Sequence, residues 1–328
     1  MKISIVIPVY NSEECLLPLH AEVVKAFRDF DSYELILVND KSPDNSWNKI
    51  VELCGMNPHV KGISLRKNFG QDNAILAGLR AAKGEFVVIM DDDLQHHPAD
   101  IFKLYEKCKE GFDVCYAFFS DKQQKQWKNM GSWANGKLSE KLLNKPKEIY
   151  LSPFKIIRKE VVEELLQFKS SYSYIDATLL TLTSNITQVE VLHYERLHGK
   201  GNYSFIKSCW VFVNHMTNYS IYPLRLLTIS GFSIAMISFL AAAAYLVQYF
   251  FSDKRVEGWI SLVLLIIFFG GLILMSIGLI GEYIGRIFLS VNNKAQYSIE
   301  KIIQQDGSPV SASESDTINT SIPHTPFP

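Results

Sequence analysis

Two stretches near the end of the chain, Leu226–Ser252 and Gly258–Gly281, run for 27 and 24 residues without one charged side chain. As helices rising about 1.5 Å per residue they reach roughly 40 and 36 Å, against a hydrocarbon core of about 30 Å. Buried helices of a water-soluble core rarely avoid charge for so long, so the pattern predicts two membrane-spanning helices, at 226–252 and 258–282. The remaining composition excludes one large class of partner. With 33 basic against 34 acidic side chains and a net charge of −1, no bulk positive field draws the chain onto nucleic acid.

The N-terminus, Met1–Tyr10, carries one Lys and a short apolar stretch broken by Pro8, without a small-residue cleavage pattern, and so does not read as a signal peptide. Basic residues flank the outer ends of the two runs: Arg225 before, Arg286, Lys294 and Lys301 after. The intervening 253–257 carries two basic and two acidic groups. The positive-inside rule then expects both termini and residues 1–204 in the cytoplasm, with the chain a multi-pass protein of the inner (plasma) membrane. The five cysteines form no CxxC pair and no zinc-like spacing with His, and read as reduced structural thiols.

Upstream of the apolar runs, β-rich segments alternate with helical ones: Ile3–Val9, Glu34–Val38, Val60–Leu65, Phe86–Met90 and Val114–Phe119, with helices between them. Continuous Val/Ile/Leu runs of this kind are parallel strands covered on both faces. The fold class is therefore α/β, a doubly wound parallel sheet followed by two C-terminal transmembrane helices. Further strands are expected at Leu151–Ile157 and Ile186–Leu192, and a helix near Lys159–Gln167. Residues 205–225 carry apolar side chains at helical spacing, read equally well as an interfacial helix or one packed on the domain. Residues 283–303 are expected as a cytoplasmic juxtamembrane segment, and 304–328, rich in Ser, Thr and Pro, as a disordered tail.

Ligands of doubly wound sheets sit beyond the carboxyl ends of the strands, which collects Tyr10-Asn11, Asn39-Asp40 and Asp91-Asp92-Asp93 at one rim. Three consecutive carboxylates at a strand end repel one another unless a cation sits among them, and hard ions such as Mg²⁺ or Mn²⁺ prefer oxygen. Such an ion takes its other ligands from water and phosphate, which points to a diphosphate substrate. His96 and His97 are better suited to packing or hydrogen bonding ahead of Pro98 than to ligation. Asp40 either accepts a hydrogen bond from a base or ribose or caps the helix that follows it. The absence of GxGxxG and GK[ST] after the first strand speaks against dinucleotide oxidoreductases and P-loop enzymes.

The segments IVIPVYN (5–11), ELILVNDKSPD (34–44), LRKNFGQDNAILAGLRAAKGE (65–85), MDDDLQHHP (90–98), ERLHGKGNYSF (195–205) and GEYIGR (281–286) resemble the family 2 glycosyltransferases, and within them the polyprenyl-phosphate group. The resemblance implies a GT-A-like fold, with Pro8, Tyr10, Asn11, Val38 and Asp40 holding a nucleotide. It further implies a metal and diphosphate site at Asp91, Asp92 and Asp93, with Asp91 and Asp93 as ligands, Gln95 beside the sugar, and Arg196 meeting a lipid phosphate. The chain departs from the family pattern at Asn39-Asp40-Lys41, where Asp-Asp-Gly is frequent, and at Ser152–Ile156, which lacks the acidic residues common before Phe-Arg-Leu.

The implied reaction is inverting transfer of a sugar from a nucleotide-sugar, a UDP-sugar by family frequency, to a polyprenyl (undecaprenyl) phosphate at a lipid membrane. A phosphate monoester with a second pKa of about 6 is largely dianionic at neutral pH and attacks C1 without a general base. Lys200, Lys155 and Arg158 join Arg196 as candidates to hold it. Two alternatives stay open: a processive polysaccharide synthase, although Gln123–Trp127 lacks the arginine of a QxxRW box, and a non-catalytic membrane scaffold that binds nucleotide-sugar or lipid. Gly281 and Gly285 form a GxxxG that suits a homo-oligomer, as chance occurrence also explains.

Overall fold

Ile3–Val9 (β1), Tyr33–Asn39 (β2) and Val60–Leu65 (β3) are buried along their whole length, as strands covered on both faces must be. The computed structural model describes residues 2–30, 32–119, 146, 149–168, 174–192, 224, 228–234, 236–237, 240, 244, 247, 258–291 and 295–304. Two compact units form, Met1–Asn202 with Lys294–Pro328, and Tyr203–Asn293.

The first unit is built on an eight-stranded sheet in the order β7-β5-β6-β4-β1-β2-β3-β8. Phe86–Ile89 is β4, Val114–Phe118 β5, Lys155–Arg158 β6, Ile186–Glu190 β7 and Ile299–Gln304 β8. Helices α1 (Glu13–Ala26), α2 (Ser46–Met56) and α4 (Ile101–Lys109) contribute to the core on one face. Helices α3 (Gln71–Ala81), α5 (Lys159–Gln167) and α6 (Ile175–Leu182) contribute to the core on the other. The helical segment expected between β4 and β5 is a 3₁₀ turn, Pro98–Asp100, leading into α4.

The doubly wound layout holds, but the sheet is mixed. β6 runs antiparallel between β4 and β5, and β8 antiparallel on β3. Neither direction is written in the local pattern, since a four-residue apolar strand reads the same whichever way it enters the sheet. β8 takes in the end of the segment 283–303 expected to lie beside the membrane. Ile299, Ile302 and Ile303 are buried, and the strand covers what is otherwise the open edge of β3.

The chain winds from β1 outward to β3 and then returns to the far side of β1 as β4, so the switch point lies between β1 and β4. Proline 8 opens it. The last β1–β4 pair is Val6 with Ile89, and the Met90 amide donates to the Val6 carbonyl. The next rung of a parallel ladder needs an amide at residue 8, which proline lacks, so the two strands part there. On the other face α3 comes unusually close: a Cβ on Gly78 would fall 2.3 Å from Val6 Cγ1 and 3.1 Å from Val38 Cγ2.

The second unit contains α7, Trp259–Val291, whose window Phe268–Gly285 has mean hydropathy 1.6 and is long and apolar enough to cross a membrane. Its side chains are exposed, Leu274 at 72% and Phe288 at 64%, unlike those of a core helix. Among the described residues this is the single helix of that kind. The first expected span, 226–252, lies largely outside the described residues and is helical at 228–234. The interfacial segment 205–225, save Leu224, and the tail expected at 304–328, save Gln304, which ends β8, also lie outside them.

Candidate active site

Three non-glycine residues with left-handed φ occur among the described residues, and each follows a neighbouring strand: Asn11 (57°) after β1, Lys41 (55°) after β2 and Leu94 (59°) after β4. Backbone in this region is unfavourable for L side chains and persists where its surroundings hold it. Here side chains stitch the first two turns together. The Asn11 amide donates to Ser42 Oγ at 3.2 Å, the Ser12 amide to Ser46 Oγ at 3.2 Å, and the Glu13 amide to Asp44 Oδ2 at 3.0 Å. Asp44, although partly desolvated, is held below its ordinary value by hydrogen bonds from Ser46 and the Glu13 amide.

Asp40 is buried and its carboxylate is already engaged. Oδ1 accepts from the Phe69 amide at 2.7 Å and Oδ2 from the Gly70 amide at 2.8 Å, so Asp40 fixes the turn into α3 rather than capping the helix that follows it in sequence. Desolvation raises its pKa in spite of these bonds. Each oxygen keeps a second lone pair for a ligand.

Asp91, Asp92 and Asp93 follow β4 at the switch point. Gln71, the first residue of α3, donates from Nε2 to Asp91 Oδ1 at 2.8 Å. Burial and then the neighbouring Asp93 and Asp92 push Asp91 up to about 7. Burial pushes Asp92 up to about 6, opposed by hydrogen bonds from the Ser12 hydroxyl and the Tyr10 amide. Asp93 is buried and accepts the Gln95 amide at 3.1 Å, which folds the turn that places Gln95 beside it. Among the described residues no three or more His, Cys, Asp or Glu side chains form a metal cage. The donor set nevertheless fits a hard divalent ion, which commonly takes one or two protein carboxylates and completes its shell with phosphate and water. Burial first, and the neighbouring carboxylates after it, disfavour the charged forms of Asp91 and Asp92, which such an ion would favour.

The other expected residues divide by location. Tyr10 reaches the rim with 52% of its surface exposed, whereas Pro8 and Val38 are buried in the sheet, with Val38 packed beneath α3. His96 stacks with Phe119 and Phe154 at 5.5 and 5.1 Å between ring centroids, and His97 accepts the Ala99 amide, the packing and hydrogen-bonding roles expected of them. The described cysteines are buried, and desolvation pushes the Cys54 thiol to about 11 and Cys108 to about 12. Arg196 and Lys200 lie outside the described residues.

Of the further candidates to hold an incoming phosphate, Arg158 lies away from the aspartates and Lys155 lies beside them but is already paired. Because β6 is antiparallel, Arg158 pairs with Phe86 at the start of β4, the end of the sheet away from the aspartates. Its guanidinium donates to the Phe112 and Cys108 carbonyls, both at 2.8 Å. Lys155 does sit at the site end, opposite Ile89, but it is buried in an ion pair with Asp176 of α6 and lies 5.2 Å over the Tyr116 ring. The Tyr116 hydroxyl donates to the same Asp176 oxygen at 2.9 Å. Asp72 beside Gln71 is pushed to about 7 by burial and by Asp176. Gln71, Asp72 and Asp176 escaped the sequence reading. The first two could have been found as the opening of a helix that follows β3 at the same rim, whereas Asp176 had no local signal.

The family model for glycosyl transferase family 2 matches residues 4–166. Over 306 residues the chain is 33% identical to undecaprenyl-phosphate 4-deoxy-4-formamido-L-arabinose transferase of Proteus mirabilis (strain HI4320), covering 92% of this chain and 94% of that protein. This chain belongs to glycosyl transferase family 2. This family 2 member is likewise 33% identical over 305 residues to the SfII prophage-derived bactoprenol glucosyl transferase of Shigella flexneri, covering 92% and 98% of the two chains. Among solved structures, glucosyl-3-phosphoglycerate synthase of Mycobacterium tuberculosis aligns at 19% identity and a TM-score of 0.47, over 66% of this chain and 78% of that one. The chain is thus a glycosyltransferase, and its motif resemblance to the polyprenyl-phosphate group of the family is borne out.

Proposed function

We propose that this glycosyltransferase moves a sugar from a nucleotide-sugar, a UDP-sugar, to polyprenyl (undecaprenyl) phosphate with inversion at C1, and so supplies lipid-linked sugar for the cell envelope. The observation that carries the reading is the row Asp91–Asp93 at the switch point, two of its carboxyls raised to about 7 and about 6. Support for the acceptor comes from the full-length relatives, named for transfer to undecaprenyl phosphate and to bactoprenol. Asp91 and Asp93 would hold Mg²⁺ or Mn²⁺, which when bound offsets charge on the departing nucleoside diphosphate.

The chain's own residues supply position and charge. Gln71 orients Asp91, and Asp40 shapes the turn against which the nucleotide docks, with Tyr10 offering an exposed ring beside it. An acceptor phosphate oxygen bonds to C1 as the C1–O bond to the diphosphate breaks, and no proton needs removal. Arg196 and Lys200 are assigned to the acceptor phosphate. Helix α7 and the uncharged run at 226–252 anchor the chain in the membrane, with residues 1–204 on the cytoplasmic side.

The test is incubation of the purified protein in detergent with Mg²⁺, undecaprenyl phosphate and radiolabelled UDP-, GDP- and dTDP-sugars, followed by extraction into organic solvent. Label in the organic phase that requires the metal, the lipid phosphate and a UDP-sugar is the expected result. Label that persists in chelator, or no label from any donor, contradicts the proposal.

A further inference from the structure

The rim on the β2–β3 side is completed by residues that lie far outside the family match at 4–166. The carbonyl of Ser298, just before β8, accepts the Arg66 amide at 2.9 Å, and Arg66 opens the turn whose Phe69 and Gly70 amides are held by Asp40. Two residues further on, the Glu300 carboxylate meets Lys41 Nζ at 2.7 Å. Lys41 directly follows Asp40 and holds the left-handed φ of 55°. One short strand therefore grips both turns that flank Asp40, one through backbone and the other through a side chain.

The ion pair stands where it can affect position more than stability. Its side chains are 49% and 30% exposed, and pairs of that kind contribute little to folding. The hydrogen bond from Lys41 is the main reason the Glu300 carboxyl lies below its ordinary value, with Lys301 and Arg66 adding to the effect. A lysine has a costly backbone conformation at 41, and a tether on its ammonium narrows the ways that turn can relax.

We infer that Glu300 is a positioning residue for the donor site: by holding Lys41 Nζ it fixes the turn after β2, and with it the Asp40 edge on which the nucleotide docks. This rests on the proposed function, which assigns the donor to that rim. It makes the strand after the apolar helix a working part of a site otherwise built from the first half of the chain.

The test uses the full-length protein in detergent with UDP and Mg²⁺ as the probe, titrated calorimetrically for wild type, Glu300→Gln, Lys41→Met and the double variant. Each single substitution is expected to weaken UDP binding about two- to fivefold, the range open to a partly exposed ion pair. The double variant is expected to be no weaker than Lys41→Met alone, since both remove one interaction. Glu300→Gln should raise KM for the nucleotide-sugar while kcat stays, its deficit should vanish in about 1 M salt, and its unfolding midpoint should match wild type. Wild type that binds UDP while Glu300→Gln binds it equally well, or additive losses in the double variant, would overturn the inference alone. Wild type that fails to bind UDP would overturn the uridine donor reading and the inference with it.

Discussion

Asp91, Asp92 and Asp72 concentrate the electrostatic strain of the rim, with burial the first cause in each. Their folded-state pKa values lie above the ordinary 3.8, so between about pH 4 and 7 the native protein retains protons that the unfolded chain has released. Stability of the cation-free protein therefore falls as pH rises through that window. Asp91→Asn, which keeps an acceptor for Gln71, should raise the calorimetric unfolding midpoint at pH 8 and change it little at pH 4. Mg²⁺ at pH 8 should stabilise wild type and leave the variant unmoved. An Asp91→Asn midpoint below wild type at pH 8 would contradict this account of the rim.

At the same scale, the aspartates and Asp40 were legible because each ends an apolar run, and strand ends of a doubly wound sheet share a rim. Arg158 was not, because its end of β6 depends on strand direction. An antiparallel strand carries its last residue away from the rim that a parallel one would reach, and direction is set by pairing with β4 and β5 rather than by the apolar run itself.

Among the elements, α3 carries two duties: its first residue orients Asp91, and Gly78 lets it lie close over β1 and β2. Alanine favours helix by about 1 kcal/mol over glycine, yet at Gly78 its Cβ meets Val6 and Val38. Gly78→Ala should accordingly lower stability by about 1–3 kcal/mol, the usual cost of overpacking, in denaturant unfolding. A stabilised variant would contradict this close approach of α3 to β1 and β2. Helix α7 was readable from its uncharged run, whereas β8 was masked by its own charged residues Glu300 and Lys301 and by its position after an apolar helix. Leu274→Arg, at an exposed apolar position on α7, should cost about 2.5–3.5 kcal/mol of membrane insertion, read by a glycosylation reporter. Unchanged insertion would argue against α7 as a span.

For the molecule as a whole, the α/β layout, the rim and the family emerged from the sequence because each rests on local runs at strand ends. The mixed sheet, the returning strand and the Lys155–Asp176 pair did not, because each joins segments that only tertiary pairing brings together. The account's central claim is that Asp91–Asp93 serve transfer to a lipid phosphate rather than to water. The most direct measurement is release of UDP from a UDP-sugar by wild type and Asp93→Asn, with and without undecaprenyl phosphate. Release by wild type only when the lipid phosphate is present, and reduced about 10²–10³-fold in Asp93→Asn, is the predicted result. Equal release without the lipid phosphate, or an Asp93→Asn protein as active as wild type, would contradict it.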